Sequence, residues 1–257
     1  MTISLYLDRD TWIHRLDART KILGVLALFS LALLYTHPMY LLGVWSLVLF
    51  FTASAQAWAN IRKFLILLVL LFLYSLVLWP FFIEGQTPLF HWWVFTVSVE
   101  GMMLGLSMAM RLTVMVVSGV LLLSTTRLED FAFGLQRFGV PSPMCFALSL
   151  AFRWVPALLG ASRLIVQAQR SRGLDLSAGT LGEKIRGYVP LVVPLIGHTL
   201  RQTTLLTMAL EVKGFRPGRQ PHPYNLSTFK FFDYVVLITI TCLVGVSWLL
   251  RMKGYGV

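Results

Sequence analysis

From Ile22 to Ile61 the chain carries no Asp, Glu, Lys or Arg. About 20 apolar residues cross a bilayer, so a run of 40 is too long for one helix. Thr36-His37-Pro38 divides it and predicts two helices, near 22–36 and 39–58. A third charge-free run, Phe64–Ile83, closes at Glu84-Gly85-Gln86-Thr87-Pro88, which reads as a turn. A fourth helix covers roughly 101–124. The last, Tyr234–Leu250, is short and wholly uncharged.

Between the fourth and fifth spans the pattern changes. Residues 125–231 are too polar for four more crossings and too periodic for a loop. They predict amphipathic helices at or below the membrane surface. Thr126-Arg127-Leu128-Glu129 fits a capping box, and Leu128, Phe131, Leu135 and Phe138 follow at helical spacing. Gly139 and Pro141 end that helix. Ser142-Pro143 opens a second, with an apolar stripe of Leu148, Phe152, Val155 and Leu159. Its later polar stripe is Arg163, Gln167 and Arg170, and Gly173 stops it. A third spans about 181–213, where Pro190 and Pro194 are expected to introduce a kink. It ends at Lys213-Gly214, ahead of a rigid basic linker, Phe215–Pro221.

The fold class is therefore all-α: a polytopic membrane protein with about five transmembrane helices and a domain of long amphipathic helices. The expected division is a transmembrane domain over 1–124, a cytoplasmic helical domain over 125–231 and a C-terminal transmembrane helix over 232–257. Composition agrees. Of 257 residues, 57% are apolar and 13% charged, against roughly 25% charged in soluble domains. Mean hydropathy is +0.74. These values exclude a disordered chain, a disulfide scaffold and an ordinary soluble enzyme.

Charge sets the orientation. The net charge is +11, and 13 of the 22 basic residues fall in 125–231. Arg9, Arg15, Arg19 and Lys21 precede the first span and Arg62 and Lys63 follow the second, while the turns at 36–38 and 84–91 hold none. By the positive-inside rule the N-terminus is cytoplasmic. Five crossings then place Arg251 and Lys253 outside, against the rule, unless a re-entrant segment reverses the last step. The first twenty residues lack the apolar core of a signal peptide, so the first span is expected to direct insertion. Cys145 and Cys242 are far apart in apolar runs, and the five histidines lack metal-ligand spacing.

Two features carry candidate chemistry. Glu100 and Arg111 are eleven residues apart, close to three turns, and share one face of the fourth span. They form either an ion or substrate path or a buried structural contact. The second feature is a pair of similar helix ends. Ala168-Gln169-Arg170-Ser171-Arg172-Gly173-Leu174 and Ala209-Leu210-Glu211-Val212-Lys213-Gly214-Phe215 both read Ala-x-x-x-cation-Gly-apolar. A cation in the last turn complements the negative helix terminus. It also suits a carboxylate-lined groove, and Arg binds two oxygens at once. Ordinary C-capping explains either end alone; two in one segment point to a docking pair.

At these residues the sequence resembles the transmembrane T component of the energy-coupling factor (ECF) transporters, the family that includes the cobalt and biotin system permeases. His14-Arg15-Leu16-Asp17-Ala18-Arg19-Thr20-Lys21 looks like the family's opening HRLDPRTK. Thr125-Thr126-Arg127 through Leu135 and Gly139-Val140-Pro141 are similar to TTPEELxxxLxxLGVP. Gln167 through Asp175 is close to EAQRARGLD, and Ala209 through Phe215 is like AMEARGF. Ala18 stands for the usual Pro, Ser171 for Ala, and Val212-Lys213-Gly214 for the second Ala-Arg-Gly. Lys213 keeps the charge and loses the fork.

The resemblance implies a non-catalytic coupling subunit of an ABC importer in the prokaryotic inner membrane. Its partners would be two cytoplasmic ATPase subunits and a separate substrate-binding membrane protein, the S component. Carried over, the docking positions are Ser171, Arg172, Gly173 and Val212, Lys213, Gly214, supported by Arg170 and Glu211. ATP and Mg would sit on the ATPases, with no cofactor on this chain. The cargo would be a vitamin or a cobalt or nickel ion. Independently, the sequence holds no G-x-x-x-x-G-K-[ST] loop. Asp17 and Asp175 each lie near Arg or Lys and read as local ion pairs. The basic segment lacks the aromatic interleaving of RNA binders. A membrane enzyme and a stand-alone carrier are the rival classes.

Overall fold

The computed structural model describes residues 6–82, 88–92, 95–174, 181–215 and 231–253. Helices α1 (Ala18–Leu34), α2 (Pro38–Ser54), α3 (Trp58–Phe82), α4 (Val99–Thr125) and α8 (Phe231–Met252) occupy the five expected spans. α5 (Leu128–Arg137), α6 (Ser142–Ser171) and α7 (Leu181–Val212) lie between α4 and α8. The helices form two compact units. One comprises residues 1–139 and 227–257, and the other residues 140–226. A short antiparallel hairpin, β1 (Pro88–Trp92) with β2 (Phe95–Ser98), leads into α4 where only a turn was expected.

In the first unit, α4 is the central helix. Its buried positions include Gly101, Gly105, Ser107, Ala109 and Ser118, small residues that let neighbouring helices approach closely. A Cβ built on Gly105 would meet the Pro80 ring of α3 at 3.2 Å and the Leu76 carbonyl at 3.4 Å. That carbonyl is the one Pro80, lacking an N–H, leaves free within α3. Around α4 pack Leu28 and Leu31 of α1, Val44 and Val48 of α2, and Ile61 and Leu68 of α3. α8 packs on α1, with Ile240 against Gly24.

The helix ends follow local chemistry. Asp17 caps α1 by accepting from the Arg19 N–H at 3.0 Å. His37 precedes Pro38 and accepts from the Met39 N–H at 3.3 Å, so the Thr-His-Pro break becomes a helix start. The expected capping box does not form. Thr126 is the C-cap of α4, Arg127 precedes α5, and no side chain caps α5. α4 continues to the very residue where the box would begin. In α5 the small residues pack rather than the large apolar stripe. Ala132 and Gly134 are buried, Gly134 lying against Ala18 and Ile22, while Leu128 and Phe138 stay exposed.

α2 ends with Gln56 at φ 52°. The Gln56 N–H bonds to the Ala53 carbonyl at 3.0 Å and the Ala57 N–H to the Thr52 carbonyl at 3.2 Å, the paired bonds of a Schellman end. Glycine adopts this conformation without the Cβ penalty. Gln56→Gly is expected to stabilise the protein by up to about 1 kcal/mol, less the value of the Gln56 side chain's contact with Arg9. The thermal midpoint in detergent reads the change.

The second unit is an antiparallel helix pair. Pro143 sits in the first turn of α6, where its missing N–H costs nothing. Near the end of α6, Gln169 Nε2 donates to the Pro190 carbonyl of α7 at 3.3 Å. Pro194 cannot serve that carbonyl, so Gln169 takes the vacant acceptor. At the other end, Phe215 stacks on Phe146 with centroids 5.1 Å apart. α7 runs as one helix through both prolines. α6 is more apolar than the surface helix expected from its pattern. It holds an 18-residue stretch of mean hydropathy 1.6 and, like α3, α4 and α8, is long and apolar enough to cross a membrane.

Candidate functional site

The two helix ends have the same backbone. α6 stops at Ser171, Arg172 is its C-cap, and Gly173 turns left-handed at φ 88°. The Gly173 N–H bonds to the Arg170 carbonyl at 3.0 Å and the Leu174 N–H to the Gln169 carbonyl at 3.0 Å. α7 stops at Val212, and Gly214 turns at φ 77°. There the Gly214 N–H bonds to the Glu211 carbonyl and the Phe215 N–H to the Leu210 carbonyl, both at 2.9 Å. Each is a Schellman end with glycine at the position that only glycine occupies cheaply. Nothing lies within 4 Å of a Cβ built on either glycine, so conformation rather than space selects it.

This turn leaves the cations free. Arg170, Ser171, Arg172, Glu211, Val212 and Lys213 are all exposed, and Val212 reaches 88%. Among the described residues neither Arg172 nor Lys213 has an ion-pair partner. A cation fixed by a capped helix at its root, with no ion-pair partner among the described residues, has the chemistry to meet an acidic surface. The antiparallel pairing puts the two ends at opposite ends of the unit. Arg172 lies 26 residues along α6 from Phe146, on the order of 40 Å. Phe146 marks the end where Lys213 sits. One compact partner cannot easily meet both.

The opening motif performs a structural task in the first unit. The Asp17 N–H donates to Asp233 Oδ1 at 2.9 Å and Thr20 Oγ1 to the same oxygen at 3.2 Å. Asp17 and Asp233 are 4% and 1% exposed. This carboxylate ties the start of α8 to the start of α1. Lys21 Nζ donates to the carbonyls of Thr125 at 2.7 Å and His14 at 3.1 Å, joining α1 to the end of α4. Asn60 Nδ2 donates to Ser124 Oγ at 2.8 Å, and the Leu7 N–H donates to the Ser124 carbonyl at 3.0 Å. Burial and the nearby Lys21 ammonium hold the His14 imidazole below its ordinary pKa, and burial pushes the Asp130 carboxyl up. Asp17 and Arg19 form the expected local pair at 3.9 Å. Asp175 and the linker beyond Phe215 lie outside the described residues.

Arg111 resolves the question posed by the fourth span. Its Nε donates to the Ala32 carbonyl at 2.9 Å and its Nη2 to the Tyr35 carbonyl at 2.8 Å. It thus satisfies carbonyls at the end of α1 that have no helical donor, and its charge complements that helix's negative terminus. Glu100 stands in the first turn of α4, a favourable place for an anion. Arg111 is a structural contact rather than part of a path. Arg111→Met should strand two carbonyls in apolar surroundings and cost about 2–4 kcal/mol. A fall in the detergent thermal midpoint, partly restored in Arg111→Lys, checks it.

Sequence reading overlooked Asp233 and the tie made by Lys21. The available signal was a single carboxylate heading an otherwise uncharged span, which needs a partner at that depth. Among the described residues no three His, Cys, Asp or Glu side chains cluster as metal ligands.

Fold and site together define a class: a polytopic helical membrane protein with a helix pair that presents a bare cation at each end. The chain belongs to the cobalt transport protein family (CbiQ), whose family model matches residues 9–224. It is 26% identical to the energy-coupling factor transporter transmembrane protein EcfT of Listeria innocua, over 98% of each chain. It is 27% identical to the EcfT of Staphylococcus aureus, covering 99% of this chain and 98% of that one. It is 29% identical to the EcfT of Clostridium kluyveri over 95% of each. The resemblance drawn from the four motifs is borne out.

Proposed function

We propose that this chain is the transmembrane coupling subunit of an ECF-type ABC importer in a prokaryotic inner membrane, with its N-terminus in the cytoplasm. Two ATPase subunits bind and hydrolyse ATP. One docks on Ser171-Arg172-Gly173 and the other on Val212-Lys213-Gly214. Motion of the ATPases tilts α6 and α7, and this displaces a separate substrate-binding membrane subunit. The cargo is a vitamin or a cobalt or nickel ion, selected by that subunit. The observation that carries this reading is the matched pair of capped, exposed cations, without ion-pair partners among the described residues, at opposite ends of one helix pair. Two separated ends suit two copies of an acidic groove. The relatives' names, energy-coupling factor transporter transmembrane proteins, agree with it.

The test is co-purification. The chain is expressed with the ATPase subunits of its own genome and captured in detergent. Wild type should retain ATPase, and the Arg172→Glu/Lys213→Glu double variant should lose it. No retention by wild type, together with substrate movement in vesicles free of ATPase, would make the chain a carrier in its own right.

A further inference from the structure

We propose that residues 6–9 form a releasable arm, latched on Gln56 and Arg127, that restrains the corner between α4 and α5. The arm runs into a fixed anchor. Ile13 is buried among Ala55, Ala57 and Leu121, and Trp12 lies against Phe51 of α2 with ring centroids 6.2 Å apart. The His14 and Arg15 N–H groups bond to the Thr11 carbonyl and hold the anchor in a turn.

The arm itself is fastened at the surface. The Leu7 N–H donates to the Ser124 carbonyl, in the last turn of α4, at 3.0 Å. Arg9 Nη1 donates to Gln56 Oε1, in the turn between α2 and α3. The Arg127 guanidinium carbon lies 5.2 Å from the centre of the Tyr6 ring, and its Nη2 is 3.5 Å from Asp8 Oδ1. The Asp8 and Arg127 side chains are 86% and 60% exposed, so water and salt compete with this pair. The anchor is apolar and buried, and the arm is polar and exposed. The arm can therefore leave while Ile13 stays.

Both latch positions break a local rule. Gln56 sits at φ 52°, where glycine would be relaxed. Arg127 stands at the N-cap of α5, where Ser, Thr, Asp or Asn would bond a free N–H, and it makes no such bond. Each position gives up local stability, and each side chain holds the arm instead. Local rules fail where a residue has another task. The arm bonds Ser124 on one side of the corner and Arg127 on the other, so it bridges the joint where α5 pivots on α4. α5 is the last helix before the chain enters the second unit at Val140. Release of the arm frees that helix at its first turn.

The experiment is brief trypsin treatment of the chain in detergent, with cleavage after Arg9 read as loss of residues 1–9 by intact mass. When reclosing is fast, this rate follows the released fraction. Arg127→Ala should speed the cut about fivefold, and Arg127→Lys should restore most of the protection. High salt should speed the cut in wild type more than in Arg127→Ala. Gln56→Gly should also speed it while the thermal midpoint holds or rises, a split that a residue merely supporting the fold would not produce. Amide exchange in α5, followed by mass spectrometry, should rise in Arg127→Ala and in Gln56→Gly, although Gln56 lies in a different turn. Cleavage as fast in wild type as in both variants overturns the proposal. So does faster cleavage with unchanged exchange in α5. None of these outcomes depends on whether ATPases dock.

Discussion

Arg172→Glu should weaken ATPase binding more than Lys213→Glu. The two cations sit on similar backbone: a left-handed glycine, the same pair of closing hydrogen bonds, an exposed side chain and, among the described residues, no ion-pair partner. Position therefore cannot separate them, and only the side-chain chemistry can. A guanidinium presents a planar fork that bonds both oxygens of one carboxylate. An ammonium is a more strongly hydrated point charge. Losing one buried, charge-assisted contact costs about 2–5 kcal/mol, or roughly thirty- to several-thousand-fold in Kd. Arg172→Glu belongs at the upper end and Lys213→Glu at the lower. Lys213→Arg should tighten binding, because the backbone already suits the fork. Dissociation constants for detergent-solubilised protein against its ATPases, measured at two salt concentrations, decide the order. Equal losses in the two single variants would mean that the fork adds nothing at the first end.

Asp233→Ala should be among the most destabilising single substitutions in the first unit. The carboxylate is 1% exposed and accepts from the Asp17 N–H and from Thr20 Oγ1. Its removal leaves a main-chain donor and a hydroxyl unsatisfied in a buried site. It also takes an acid from the first turn of α8, where it complements the positive helix end. The expected cost is about 3 kcal/mol, a fall of roughly 6–12 °C in thermal midpoint for a protein of this size. Asp233→Asn keeps an acceptor in place and should recover most of it. Because this carboxylate fastens α8 to α1, accessibility of Cys242 to a thiol reagent should rise in Asp233→Ala and not in Asp233→Asn. An unchanged midpoint in Asp233→Ala would show that α8 is held by its apolar face alone.

The legible part of the fold was the part governed by local rules. Absence of charge over a bilayer's width located four of the five spans, because an unpaired charge at that depth is costly, and the fourth, which carries Arg111, was legible from its remaining apolar run. The glycines that end α5, α6 and α7 were legible because only glycine enters the left-handed region cheaply. The family resemblance was legible in ordered motifs. What failed was local pattern competing with tertiary packing. A capping box was readable at Thr126, yet α4 extends through Thr125 and takes Thr126 as its own C-cap. Pro190 and Pro194 marked gaps in the hydrogen-bond ladder of α7, but that Gln169 of α6 fills the one Pro194 leaves was decided by packing. The large apolar residues of α5 looked like its packed face, but its buried positions are Ala132 and Gly134, with Gly134 against Ala18 and Ile22.

By itself, then, the sequence determined that this protein is a helical membrane protein of its family with two cation-bearing helix ends. Periodicity, charge avoidance and glycine conformation all act within a few residues. Only the tertiary structure decided which ends face apart, which carboxylate fastens α8 to α1, and that Arg111 closes α1 rather than lining a path. Each of those depends on groups brought together across tens to hundreds of residues, as Asp17 is to Asp233 over 216 positions. No local pattern encodes which buried donor will meet which acceptor at that separation.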